Sequence, residues 1–432
     1  MTKPRPNQSV GTHAGGVLAS QQLRALVQKR VISATPPIEE RQFQPASLDL
    51  RLGETAYRML SSFLPEQWAI SQRLTVADLL PELLMYEMDL RKGAVLEKGH
   101  VYLIPLIESL ALPPNLAGKT NPKSSTGRLD VFTRTITDFQ ARFDEIRPAY
   151  RGRLFLEVVP RSFSVRVHTG MCLNQLRLFT GHPMVGDAAL RDSHRTDPLL
   201  YREGKPLPVS QLSLKDGLFL RIDLQGNDGG IIGFRAKKIS KILDMSRIGH
   251  YDPTDFWEPI KKDRDATLLL EPEEFYILAS KERIRIPPDY AAEMVAYEAA
   301  CGELRTHYAG FFDPGFGYGQ GDLPGTPIVL EVRAHDVPFL IHDGQTFFKV
   351  FFERMRQRPA QVYGEGLGSS YQFQGLTLSK QFKPYQTGGG PAEKPPSRAH
   401  QTGEGPAEKP PSRAHQTGGG PAGKPLSRAH NR

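Results

Sequence analysis

Cysteine is nearly absent: Cys172 and Cys301 are the only two in 432 residues, far apart and without a C-x-x-C spacing. A disulfide framework is excluded, and the usage points to a reducing, cytoplasmic setting. Long apolar runs are missing too. Nothing approaches the roughly 20 residues that a membrane helix needs, and the polar start MTKPRPNQSVGTHAGG has no hydrophobic signal core. Neither secretion nor membrane insertion is expected. What is present is the composition of an ordinary folded protein, 39% hydrophobic and 24% charged, at a length that suits two or three domains.

The net charge of +8 is unevenly placed, because the stretch from Gln386 to Arg432 holds seven Lys/Arg against three Glu. That stretch is three copies of a 15-residue unit, QTGGGPAEKPPSRAH, QTGEGPAEKPPSRAH and QTGGGPAGKPLSRAH. Gly/Pro/polar sequence of this kind buries too little apolar surface to offset its chain entropy. Residues 386–432 are expected to be a disordered tail, and residues 1–15 a disordered lead. Truncation after Tyr385 should therefore leave the unfolding midpoint and the turnover of the protein unchanged; a large fall in either would give the repeats a role. The remaining +4 suits an anionic small molecule and does not call for nucleic acid.

A second repeat lies inside the folded part. Asp49 in SLDLRLG is answered by Asp223 in RIDLQGN, Tyr102 by Tyr276, Pro113 by Pro287, Glu157 by Glu331 and Gly170 by Gly344, each 174 positions on. The constant offset reads as a tandem duplication without net insertion, with domains over 16–210 and 211–385. DGLFLRIDL, RLFLEVVP, SFSVRVHTG, TPIVLEVRA and TFFKVFFERM predict short strands bounded by Gly, Pro and Asp. Helical patterns are few: ASQQLRALVQKRV near Ser20, and VADLLPELLMYEMDL, which Pro81 should interrupt. The fold class is mainly β, a barrel or jelly-roll unit present twice.

The stretch NPKSSTGRLD, residues 121–130, crowds Lys123, Ser124, Ser125, Thr126, Gly127 and Arg128 together. Hydroxyls, backbone N–H groups and a guanidinium fork suit a phosphate, although Ser/Thr clusters also cap helices and turns. Two glutamates stand in corresponding strands. Glu157 shares its strand face with Phe155 and Val159, and a carboxylate among apolar neighbours is costly unless partnered; a glutamate facing solvent at a sheet edge is the equally open alternative. Glu331 shares its face with Val329 and Arg333, which favours a solvent-facing position. The copies differ in complementary ways: Ser124, Ser125 and Arg128 become Glu298, Ala299 and Gly302, whereas HYAGFFDPGFG with Asp313 precedes Glu331 and FDEIRPAYRG with Arg147 precedes Glu157.

Taken in order, QPASLDLRLG, KSSTGR, FDPGF, VLEV and YQFQGLTLS resemble the dCTP deaminase branch of the dUTPase-like superfamily. The resemblance spans roughly residues 17–385 and implies two tandem distorted jelly-roll domains. It implies that Ser124, Ser125 and Arg128 form a phosphate loop opened by Lys123 where the family has arginine, with Ser124 also near the attacking water. Glu331 and Glu157 both match the general base, Asp313 the aspartate near the sugar, and Ala309 the alanine whose backbone faces the pyrimidine. Tyr363, Tyr371 and Gln374 match an arm that closes over the nucleotide. The family's arginine two residues before the aspartate is Phe311 here, which leaves its role unfilled.

The implied reaction is hydrolytic removal of the amino group of dCTP, giving dUTP, with Mg2+ carried by the triphosphate. Zinc deaminases hold their metal with a His/Cys-x-x-Cys set. This chain has no such set, and His168 with Cys172 in HTGMC suits core packing. A dUTPase or bifunctional deaminase–dUTPase, and a non-catalytic nucleotide-binding module, stay open, as does a homo-oligomer. The complementary losses predict one composite site per domain pair, with the cradle from the first copy and Glu331 from the second.

Overall fold

The computed structural model describes residues 15–65, 71–227, 229–294, 304–306, 310–319, 323–334, 336–364, 371 and 374–385, with backbone alone at 304–306. The expected tail, the first 14 residues, Ala309, Glu298, Ala299 and Gly302 lie outside them. Described residues up to Tyr385 belong to one compact unit. No helix among them is long and apolar enough to cross a membrane.

The chain is mainly β. Five stretches with alternating or continuous apolar pattern became the strands Leu218–Arg221, Arg151–Pro160, Val165–Val167, Thr326–Ala334 and Thr346–Arg354. The first half builds two six-stranded sheets. One centres on Cys172–Thr180, paired with Ser47–Arg51 and Ala117–Pro122; the other packs Arg151–Pro160 between Val131–Thr137 and Val101–Ala111. In the second half, Thr326–Ala334 pairs with Phe275–Ile284, and Thr346–Arg354 lies between Leu218–Arg221 and Tyr290–Met294.

The helix Ser20–Gln28 forms as its pattern predicts, burying Leu23. The second pattern behaves differently. Pro81 sits inside the helix Val76–Leu83, begun by a Thr75/Asp78 capping box, and the chain leaves directly into the strand Leu84–Asp89. A helix of about two turns tolerates the proline because the missing N–H and the freed carbonyl both fall near its ends.

The duplication is visible in the hydrogen-bond register. Glu157 stands opposite Leu103, and Glu331 stands opposite Ile277, each pair 174 positions apart. The Tyr102 hydroxyl accepts from the Glu97 N–H at 2.9 Å, and the Tyr276 hydroxyl accepts from the Glu271 N–H at 3.0 Å. The offset does not extend to the first strand, which corrects the match of Asp49 with Asp223. Arg51 donates to Glu108 through its backbone N–H at 2.8 Å and its Nε at 2.7 Å; Arg221 makes the same two bonds to Glu282 at the same distances. The Gly170 N–H donates to Leu52 O and the Gly344 N–H to Ile222 O. In space the partner of Leu52 is therefore Ile222, and that of Asp49 is Phe219. A four-residue insertion follows in the second half, and the Asp-Leu match is a coincidence of letters. Asp49 has no counterpart carboxylate.

Two large cores result, and they are not segregated by half. Ile231, Phe234, Phe256, Trp257, Phe275, Val329, Leu378 and Phe382 pack into the core of the first half. Residues from Val185 to Leu212 contribute to the second core. Equivalent positions of the two halves even meet: Lys119 forms an ion pair with Glu293, its own counterpart 174 residues on. Identical charged residues at the two positions would face each other as like charges, whereas the present pair attracts.

Candidate active site

The strand Thr326–Ala334 is buried along its whole length. Its alternation sends Ile328, Leu330 and Val332 into the second core, whereas Val329 joins the first. Glu331 and Arg333 share the face of Val329, so both turn toward the first half. The cation that made this face look solvated is itself buried, 3% exposed, against Asp130 of the first half.

Opposite this face lies the NPKSSTGRLD segment. Pro122 ends a strand, Lys123 is extended, and Ser124–Gly127 make a single helical turn ahead of Arg128. Between the two halves is a cavity of about 260 Å³ lined by Lys123, Ser124, Ser125, Arg128, Asp313, Glu331, Tyr363, Tyr371 and Gln374. These are nine of the ten residues expected to bind or react, apart from Glu157; the tenth, Ala309, lies outside the described residues, although Gly310 beside it lines the same cavity.

Arg128 is 3% exposed and stacks on the Tyr371 ring at 3.9 Å. Its Nη1 donates to Thr377 O at 2.9 Å and its Nη2 to Gln374 Oε1 at 2.6 Å. The arm is tied down further by Ser379, whose hydroxyl donates to Ser125 O at 2.8 Å. The remaining Arg128 nitrogen, Nε, makes no hydrogen bond and stands 3.9 Å from Glu331 Oε1. Burial pushes the Glu331 carboxyl up to about 7, with Arg128 pulling the other way. A group poised there can take and return a proton near neutral pH.

Asp313 accepts a hydrogen bond from the Ala46 N–H at 3.2 Å, and burial raises its carboxyl to about 6 against the pull of Arg177. Arg177 lies against the segment that carries Phe311 and Asp313. Its guanidinium lies on the Phe311 ring at 4.0 Å, donates to Phe312 O at 3.2 Å, and approaches Asp313 Oδ1 to 3.9 Å. Burial works to lower the Lys123 ammonium, but the ion pair with Asp49 holds it above its ordinary value. Lys380 also lines the cavity, lowered by burial and by Lys123.

Glu157 is placed elsewhere. It is 1% exposed, and Arg134 binds its Oε1 through Nε at 2.9 Å and Nη2 at 2.5 Å. The Phe143 ring covers that guanidinium at 3.6 Å. It does not line the cavity. Among the described residues, no group of three His, Cys, Asp or Glu stands as a metal set.

Sequence reasoning passed over Arg177 and Lys380, and it noted Asp49 only as a repeat marker. Arg177 gave one signal, a lone cation in the apolar run CLNQLRLFT. Such a residue is buried only if partners reach it, and those partners are 115 to 176 positions away.

Comparison with known proteins points to one family. The family model for the N-terminal domain of 2'-deoxycytidine 5'-triphosphate deaminase matches residues 14–182, and that for the C-terminal domain matches residues 186–382. The crystal structure of 2'-deoxycytidine 5'-triphosphate deaminase from Agrobacterium tumefaciens is similar at 43% identity and a TM-score of 0.74, covering 79% of this chain and 100% of that one. Two curated relatives carry the name dCTP deaminase, dUMP-forming. The one from Parafrankia sp. (strain EAN1pec) is 32% identical over 144 residues, 33% of this chain and 66% of that relative. The one from Nanoarchaeum equitans is 27% identical over 189 residues, 40% of this chain and 87% of that relative. The protein belongs to the dCTP deaminase family, enzymes that act on the cytosine amino group.

Proposed function

We propose that this chain hydrolyses the 4-amino group of dCTP, with Glu331 as general base and without zinc. The observation that carries the reading is the buried Glu331 carboxyl, raised to about 7, facing the Ser124–Arg128 segment of the other half across one cavity. Glu331 takes a proton from water, the hydroxide adds to C4, and the proton passes to the departing amine; dCTP and water give dUTP and ammonia. Ser124 and the neighbouring backbone hold the water, Ser125, Arg128, Lys123 and Lys380 face the phosphates, and Asp313 faces the sugar. Tyr363, Tyr371 and Gln374 close the site. The cations of the cavity suit phosphate oxygens, so Mg2+ in this reading arrives with the triphosphate.

A second reading, release of pyrophosphate from the same nucleotide to give dUMP, is favoured by the names of the curated relatives. Incubation with dCTP and Mg2+, scoring ammonia and pyrophosphate separately, decides between them. Ammonia without pyrophosphate supports the simple deaminase, both together the dUMP-forming reaction, and dCTP binding with neither the non-catalytic module. A chelator that removes zinc and spares Mg2+ should leave the rate unchanged; loss restored by added zinc would refute the metal-free mechanism.

Arg128→Ala should weaken binding of triphosphates by roughly 1.5–3 kcal/mol, the scale of a hydrogen bond to a charged group. Calorimetry with dCTP and with deoxycytidine checks it. Equal weakening of both would mean that Arg128 holds the closing arm and does not meet phosphate.

A further inference from the structure

The segment that carries Arg128 meets the strand that carries Glu331 a second time, two residues further along each. Asp130 forms an ion pair with Arg333, and neither is accessible: Asp130 is 0% exposed and Arg333 3%. Ser162 Oγ donates to Asp130 Oδ2 at 2.5 Å and lies 3.4 Å from Arg333 Nη2. Arg333 Nη1 reaches Glu273 O and stands 3.6 Å from the Glu273 carboxylate. Asp130 holds a φ of +55°, a left-handed conformation that aspartate adopts more readily than most side chains. The strand's period of two places Arg333 on the face of Glu331. At the corresponding positions of the other copy the residues are Leu304 and Val159, both uncharged. The pair therefore exists only where cradle and base face each other.

We infer that Asp130 and Arg333 are a positioning pair that fixes the cradle segment in register on the base strand and sets the charge balance around Glu331. This rests on the reading of Glu331 as the base. Two contacts in series define an orientation, whereas the single approach of Arg128 to Glu331, at 3.9 Å without a hydrogen bond, defines none. The charges around Glu331 come from every side. Arg128 and Asp130 face it from the cradle segment and Arg333 from its own strand, with Glu273 behind. Asp313, Lys123 and Lys380 stand around the cavity, with the phenols of Tyr363 and Tyr371. Burial raises the Glu331 carboxyl most, Arg128 opposes it, and Asp130 adds a smaller upward push as a like charge.

The test is titration of the Glu331 carboxyl by carbon NMR in protein labelled at glutamate, with the resonance assigned by its loss in Glu331→Gln. Asp130→Asn removes the like charge and leaves Arg333, so the midpoint should fall by on the order of one unit. Arg333→Met added to Asp130→Asn restores neutrality, and the midpoint should return toward the wild-type value. The double variant leaves no buried charge unpaired and should fold, but it loses the register contact: kcat should fall about tenfold with KM for dCTP within about twofold. An unmoved midpoint in folded Asp130→Asn would overturn the electrostatic claim, and wild-type kcat in the double variant the positioning claim. The NMR titration needs no turnover. A protein that releases no ammonia yet shows the shifts would sink the deaminase reading and leave the pair standing.

Discussion

Glu331→Gln is expected to lower ammonia release by roughly 10²–10⁴-fold, the range for loss of a positioned acid–base group, while dCTP still binds. Glutamine fills the same volume and keeps an acceptor 3.9 Å from Arg128 Nε, so the cavity should persist. What it lacks is a proton site that titrates near neutrality. With Glu331 as the base, activity needs the ionised carboxylate, so kcat/KM should fall tenfold per pH unit below about 7, where burial places the group in the unliganded protein. The variant should lose that limb. Glu157→Gln should behave oppositely, with kcat within about twofold and a lower unfolding midpoint, because Arg134 loses its carboxylate beneath the Phe143 ring. If Glu157→Gln is the dead variant and Glu331→Gln the active one, the composite site within one chain is wrong, and first halves pair across chains.

Arg177→Met should cost the protein roughly 3–5 kcal/mol, the scale for removing one partner of a buried ion pair, measured as a shift in the chemical denaturation curve. Arg177 is fully buried and joins three parts of the second half at once. Its Nη1 donates to Ala292 O and to Glu353 Oε2, each at 3.0 Å, and its Nη2 to Phe312 O. Methionine would leave Glu353 with Lys119 alone and two carbonyls without this donor. Asp313 would also lose the cation that opposes its burial, and so be protonated at higher pH. A loss below about 1 kcal/mol would mean that apolar packing between the halves carries the interface and that Arg177 is incidental. Lys119, paired with both Glu293 and Glu353, is the member best placed to compensate.

The two glutamates mark how far reading the chain could go. At Glu157 the strand pattern left burial and a solvent-facing sheet edge both open, and the side chain is buried, held by Arg134 from the adjacent strand of the same sheet. At Glu331 the same logic pointed outward, because Arg333 shares its face. Both are buried because the surface they face is the first half, which brings Arg128 and Asp130 to meet them. The match of Asp49 with Asp223 failed for a related reason. Identity of letters cannot reveal a four-residue insertion when the strands on either side keep their own pairing. The hydrogen bonds of Arg51 and Arg221 to their glutamates do reveal it.

The sequence by itself determined the duplicated β architecture, the phosphate-suited composition of residues 123–128, and the divergence of the two copies at those positions. Those are local or repetitive signals, carried by residue type and spacing within a few positions or by a constant offset. Only the tertiary structure decided which glutamate faces the cavity, that Arg177 lies on Phe311 and approaches Asp313, and that Asp49 and Lys380 border the same space. Each of these depends on contacts more than 70 positions apart along the chain. A strand's own alternation divides its residues between two faces, and what covers each face is settled by the packing of one half on the other.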